Sequence, residues 1–253
     1  MKPLAGKRVV ITRPRAQAGN LARLVREAGG EPLCIPAIEI LPIADAAPFH
    51  ALAARLAEFD LAIFVSRNAV RSALELLGGK PWPAGLKVAT VGQGSREELE
   101  QRGFAQVIAP AAQSDSEALL ALPALGAVRG RRIAIFRGDG GRQLLGDVLA
   151  QRGALVEYAA CYRRVRPAAD AALGDAWKGS VDAVTISSLE GLENFLQMLG
   201  EEKTKRMAKM PVFVPHARVA QAAAGRGLQR VIVAGPRDAD VLAALAAHFG
   251  GAG

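Results

Sequence analysis

Short, almost uninterrupted apolar runs alternate along the chain with longer segments whose apolar residues recur every three to four positions. The run Val9-Val10-Ile11-Thr12 is too short for an amphipathic helix and predicts a strand buried on both faces. After it Leu21, Leu24 and Val25 fall on one helical face, and Gly29-Gly30 stops the helix. The same order begins again at Arg132, with the run Ile133-Ala134-Ile135-Phe136, a helical face of Leu144, Leu145, Val148 and Leu149, and a stop at Gly153.

The parallel extends through both halves. Leu61-Ala62-Ile63-Phe64-Val65 running into a helix corresponds to Asp182-Ala183-Val184-Thr185-Ile186 running into another. The strand from Lys87 to Val91 corresponds to Pro211 to Val214, and Val107-Ile108 to Val231-Ile232. Each half closes with a helix, expected from Ser116 to Leu122 and from Asp238 to Phe249. Apolar runs alternating with amphipathic helices imply parallel sheets covered on both faces, and the repeat, breaking near residue 127, implies two such units. Ligands of open parallel sheets sit beyond the carboxyl ends of the strands, so two facing units would frame a cleft.

The candidate chemistry lies at those strand ends. Ser66, Ser95 and Ser188 are expected at strand-to-helix turns. There a hydroxyl either caps its own helix or, with the adjacent N–H groups, receives a carboxylate. Arg13 and Arg137 are expected to end the first strand of each repeat, either at a cleft mouth or as solvated strand ends. The stretch from Val156 to Pro167 reads as a strand passing into a basic connector, and it holds both tyrosines of the chain. Tyr158 and Tyr162, four apart on a strand, are expected to share a face, as packing anchors or as a proton donor beside the cleft.

Composition narrows the ligand. A net charge of +8 over 253 residues favours an anionic partner, yet the Lys and Arg are scattered singly and only 5% of residues are aromatic. Without a basic run or aromatic interleaving, a small polyacid fits better than nucleic acid. Two cysteines and three dispersed histidines offer neither a disulfide framework nor ligand spacing for a metal. With no apolar run of about 20 residues and no signal-peptide pattern at the start, a cytoplasmic protein without membrane attachment is expected. Gly92-Gln93-Gly94 begins a dinucleotide fingerprint but Glu97 replaces its third glycine, and Gly138-Asp139-Gly140-Gly141-Arg142 lacks the P-loop ending. The residues alone lead to a two-domain α/β protein with an anion-seeking cleft. An enzyme, a non-catalytic binding or regulatory module for an acidic metabolite, and a nucleotide-sugar transferase all share that description, although nothing here suggests the last one's metal-binding carboxylate pair.

In order along the chain, Val9-Val10-Ile11-Thr12-Arg13-Pro14, Ile63-Phe64-Val65-Ser66 with Asn68-Ala69-Val70, Val91-Gly92 with Ser95, and the segment around Tyr162 resemble the uroporphyrinogen-III synthase family. The likeness implies two flavodoxin-like parallel-sheet domains from an internal duplication, with the first strand and helix of each repeat exchanged. The expected boundaries are 1–35 plus 168–253 for one domain and 42–156 for the other, with connector strands at 36–41 and 157–167.

The resemblance further implies a monomeric lyase that cyclises hydroxymethylbilane, a linear tetrapyrrole polyacid, with loss of water and inversion of its last ring. It implies no cofactor and no metal, and it raises transient contact with the preceding pathway enzyme. By position, Tyr162 would be catalytic and Ser66, Asn68, Ser95 and Ser188 would contact substrate; the charge argument adds Arg13 and Arg137. The chain departs from the family pattern at Val214-Pro215-His216-Ala217-Arg218-Val219, where hydroxyl side chains are missing, and at Glu190, where a small polar residue is more usual.

Overall fold

The computed structural model describes residues 2–111, 115–141, 143–168, 173–174, 177 and 179–250. The chain opens with β1 (Arg8–Ile11), α1 (Arg15–Glu27) and β2 (Glu31–Cys34). Next come β3 (Glu39–Leu41), α2 (Ala47–Ala53), β4 (Leu61–Phe64), α3 (Arg67–Leu77), β5 (Lys87–Thr90), α4 (Gln93–Glu100) and β6 (Val107–Ile108). They are followed by α5 (Ser116–Leu120), α6 (Pro123–Gly126), β7 (Arg132–Gly138), α7 (Leu144–Gln151) and β8 (Leu155–Val165). The last part holds β9 (Ala183–Thr185), α8 (Leu189–Met207), β10 (Pro211–Val214), α9 (Ala217–Gly225), β11 (Arg230–Val233) and α10 (Asp238–Gly250).

These elements form two compact units, one of Met1–Glu39 with Val165–Gly253 and one of Ile40–Arg164. In the first, five strands run in the order β11-β10-β9-β1-β2, and every neighbouring pair is parallel. The second sheet has the order β3-β8-β7-β4-β5-β6, with the pairs from β8 to β6 again parallel. Set side by side, β2-β1-β9-β10-β11 and β8-β7-β4-β5-β6 are the same doubly wound order, that of flavodoxin-like sheets. Each repeat's leading strands thus pair with strands of the other repeat, β1 with β9 and β7 with β4.

The continuous apolar runs arise because alternate residues feed opposite layers. In the first unit Val10, Val184 and Val212 pack with Leu192, Phe195 and Val219 on one face. Val9, Ile11 and Phe213 pack with Leu21, Val25 and Leu245 on the other. In the second unit Phe64 and Phe136 stack at 4.7 Å above Val70 and Leu99, while Ile63 and Ile135 meet Leu119, Leu145 and Leu149. Each such side chain contributes about 1.5–3 kcal/mol on burial, so both faces of each sheet are necessary.

Two sequence expectations change here. The helix expected from Ser116 to Leu122 stops at Leu120, and a new turn begins at Pro123. Proline excludes the helical region for the residue before it, and Leu122 is extended at φ −70°, ψ 140°. Tyr158 and Tyr162 do not share a face. Arg137 pairs with Ala160 but Gly138 with Tyr162, so Cys161 is an extra residue in the ladder. This bulge reverses the alternation, leaving Tyr158 42% exposed and Tyr162 buried in the layer of Phe64 and Phe136.

Candidate functional site

In the second unit the carboxyl ends of β4, β5, β7 and β8 bring several of the expected residues together. At the end of β4, Ser66 leaves the strand in an extended conformation and caps α3, its Oγ accepting from the Ala69 N–H at 3.0 Å. The same oxygen lies 3.1 Å from the Tyr162 hydroxyl. Tyr162 arrives there through the bulge, and the Asp139 N–H donates to its carbonyl at 2.7 Å. Its ring crosses the end of β7 at Gly138, where a Cβ would come within 2.9 Å of two ring carbons. Gly138 is therefore required for space and not for a special backbone angle.

Cys161, inside the bulge, donates its thiol to the Arg137 carbonyl at 3.2 Å. Burial pushes this thiol up to about 12, so it stays protonated and is no nucleophile.

Ser95 differs from its expectation. It is a buried residue within α4, and the cap position belongs to Gly92, which has no side chain to close the turn. The β5 strand simply ends earlier than the serine, at Thr90, whose hydroxyl donates to the Phe64 carbonyl at 2.7 Å. Asn68 occupies the first turn of α3 beside Ser66.

Sequence reasoning missed Arg67, the exposed first residue of α3, whose guanidinium lies against Gly94 in the space a side chain would fill. A cation between two serine-bearing strand ends, with a glycine on the facing turn, was the available signal. The two helices are braced by Glu98, which accepts from Arg71 at 2.6 Å and from Arg102 at 3.2 Å. The Arg71 bond first, and then Arg102, hold its carboxyl below the ordinary glutamate range.

Arg137 does not join this group. It follows Phe136 in the alternation and so faces the other layer, where it stacks 5.0 Å over the Tyr158 ring and donates to the Gly140 carbonyl.

In the first unit the repeat is visible in the dihedral angles. Ser188 caps α8 at φ −162°, ψ 165°, against −166°, 163° for Ser66, and accepts from the Gly191 N–H at 3.0 Å. The divergent turn places His216 at the cap of α9 without a side-chain cap. Arg13 lies beyond β1, which ends at Ile11, and is committed to an ion pair with Asp238 and to the Pro236 carbonyl at 3.2 Å. The Thr12 hydroxyl donates to the Thr185 carbonyl at 2.7 Å, sealing the neighbouring strand ends.

Among the described residues there is no cluster of three or more His, Cys, Asp or Glu side chains suited to a metal ion. No described helix is long and apolar enough to cross a membrane.

The fold is shared with solved structures. A mutant uroporphyrinogen III synthase from Thermus thermophilus superposes with a TM-score of 0.63 at 20% identity, over 94% of this chain and 96% of that one. The Helicobacter pylori uroporphyrinogen-III synthetase gives 0.62 at 15% identity, over 94% and 97%. In sequence, the uroporphyrinogen-III synthase of Salmonella typhimurium is 30% identical over 240 residues, covering 92% of this chain and 97% of the relative. That of Escherichia coli is 29% identical over 239 residues with the same coverage. The family described as uroporphyrinogen-III synthase HemD matches residues 19–244. With the duplicated sheets, the serine-capped strand ends and these matches in agreement, the chain belongs to the uroporphyrinogen-III synthase family.

Proposed function

We propose that this chain closes hydroxymethylbilane to uroporphyrinogen III, with Tyr162 as the acid that releases the terminal hydroxyl. The observation that carries this reading is the Tyr162 hydroxyl itself, turned by the bulge to within 3.1 Å of Ser66 at the carboxyl end of the second sheet. Loss of the hydroxyl as water leaves an azafulvene. Attack by its carbon on the substituted position of the last ring gives a spiro intermediate, which fragments and recloses with that ring inverted. Uncatalysed closure skips the inversion, so the protein's task is to hold one conformer while the faster route is denied, an entropy-trap role.

Substrate carboxylates are received by the turn of Ser66 and Asn68, by the uncapped first turn of α4 before Ser95, and by the turn of Ser188. Arg137, held by the Tyr158 ring and the Gly140 carbonyl, adds positive potential without a direct contact, whereas the charge of Arg13 is balanced by Asp238. Because the substrate cyclises unaided, we infer a cytoplasmic monomer that meets the preceding pathway enzyme transiently. Light scattering that gave a stable dimer would overturn the monomer.

The test is to supply freshly generated hydroxymethylbilane and resolve the porphyrin isomers after oxidation. Catalytic formation of type III is expected. Type I alone, at the uncatalysed rate and with folded protein, would instead mark a non-catalytic binding module. In Tyr162→Phe, kcat is expected to fall about 100-fold, within the range for a lost general acid.

A further inference from the structure

The Tyr162 hydroxyl has one proton, and the direction in which it points decides whether that proton can reach a substrate. Ser66 Oγ already accepts the Ala69 N–H at 3.0 Å, while its own proton needs an acceptor. The Tyr162 oxygen stands 3.1 Å away. Were Tyr162 to donate into Ser66, its proton would be spent inside the protein. With Ser66 donating, the phenol proton is free to face outward.

We propose that Ser66 and Gly138 are positioning residues for Tyr162, with hydrogen bonds running one way from the Ala69 N–H to Ser66, from Ser66 to Tyr162, and from Tyr162 to the departing hydroxyl. This rests on the reading of Tyr162 as the acid. The chain starts at the N-terminal turn of α3, where the N–H groups carry partial positive charge, and each bond in it polarises the next. When the proton moves to the hydroxyl, the carbon–oxygen bond breaks with its electron pair and water leaves. The pyrrole nitrogen pair fills the vacancy, and Tyr162 remains as a phenolate that keeps the Ser66 proton in hydrogen-bond contact. The phenolate recovers a proton from the ring carbon that loses one after reclosure, so the balance is the loss of one water.

Gly138 sets the distance. A methyl group there would lie 2.9 Å from Cε2 and Cζ of Tyr162 and 3.2 Å from its hydroxyl, moving the ring off Ser66.

The experiment compares Ser66→Thr, Ser66→Asp and Gly138→Ala with the parent and with Tyr162→Phe, reading kcat, KM and the type III fraction, with circular dichroism as the folding check. Asp and Thr both cap α3, but an ionised Asp cannot donate to Tyr162. A purely structural Ser66 therefore leaves Asp equal to Thr in kcat, the added anion acting on KM alone. The proposal expects Ser66→Asp and Gly138→Ala to lose about tenfold or more in kcat with a lower type III fraction, KM staying within about twofold in Gly138→Ala and rising in Ser66→Asp, whose anion stands in a carboxylate-receiving turn, while Ser66→Thr loses less in kcat than either. Parent-like kcat in Ser66→Asp or Gly138→Ala, with Tyr162→Phe impaired, overturns the positioning and spares the acid. Parent-like kcat in Tyr162→Phe overturns the acid and the positioning together.

Discussion

Glu98 shows how much one side chain settles in the second unit. Its carboxylate is 9% exposed and serves Arg71 and Arg102 at once, tying α3 to α4 directly behind the Ser66 and Gly92 turns. A carboxyl lowered in the folded state contributes stability that is complete above its unfolded pKa and is lost as pH falls through the folded one. The acid limb of the stability curve is therefore expected to begin below the ordinary glutamate value of 4.5. Glu98→Gln should lower stability at neutral pH by about 1–3 kcal/mol, as expected for a lost charged hydrogen bond. It should also flatten that limb; urea melts at pH 7 and pH 4 check both, and an unchanged difference between them would show that Glu98 is not the titrating group. Cys161 is the contrary case: a thiol buried in the apolar layer, whose polar contacts are the Ala69 and Arg137 carbonyls.

At the scale of elements, much was legible in the sequence and one crucial feature was not. Strand positions, the duplication and the capping serines follow from apolar runs and from a hydroxyl placed just ahead of a helical pattern, and Ser66 and Ser188 stand where that pattern puts them. The face of Tyr162 could not be read, because alternation assumes an unbroken ladder and the bulge at Cys161 is fixed by pairing with β7, a tertiary fact. Arg13 and Arg137 were placed correctly near strand ends, but their partners, Asp238 and Tyr158, depend on packing that no spacing reveals. Ser95 fell inside its helix because β5 stops at Thr90. The bulge also makes a prediction about chain length. Deleting Cys161 should restore regular pairing with Tyr162 directly after Ala160, still opposite Gly138 and in the layer of Phe136, so the protein should fold and keep most of its activity. Cys161→Ser keeps the count and the bulge and should stay active as well; loss of activity in the folded deletion variant alone would show that the bulge itself, and not only the pairing with Gly138, aims the tyrosine.

The whole molecule contains two cores, and each has one tryptophan in it. Trp82 lies 6.0 Å from Phe64 in the second unit, and Trp177 lies 5.9 Å from Phe195 in the first. Removing either phenylalanine costs about 3–5 kcal/mol in its own core. Phe64→Ala is expected to move the melting transition seen by Trp82 in a Trp177→Phe background, and Phe195→Ala the one seen by Trp177 in a Trp82→Phe background. If each variant shifted both transitions equally, the chain would be a single cooperative unit. The division of the chain has a last consequence, in the order of synthesis. The unit Ile40–Arg164 is continuous and can close as soon as it leaves the ribosome, but β1 lies in the middle of a sheet whose next strand begins at Ala183. At about 5–20 residues per second, the apolar run of β1 waits roughly ten to thirty seconds for that partner. During that interval β1 has only β2 to pair with and its other edge stays open, and it is then, before any substrate is met, that this protein is most in need of a chaperone.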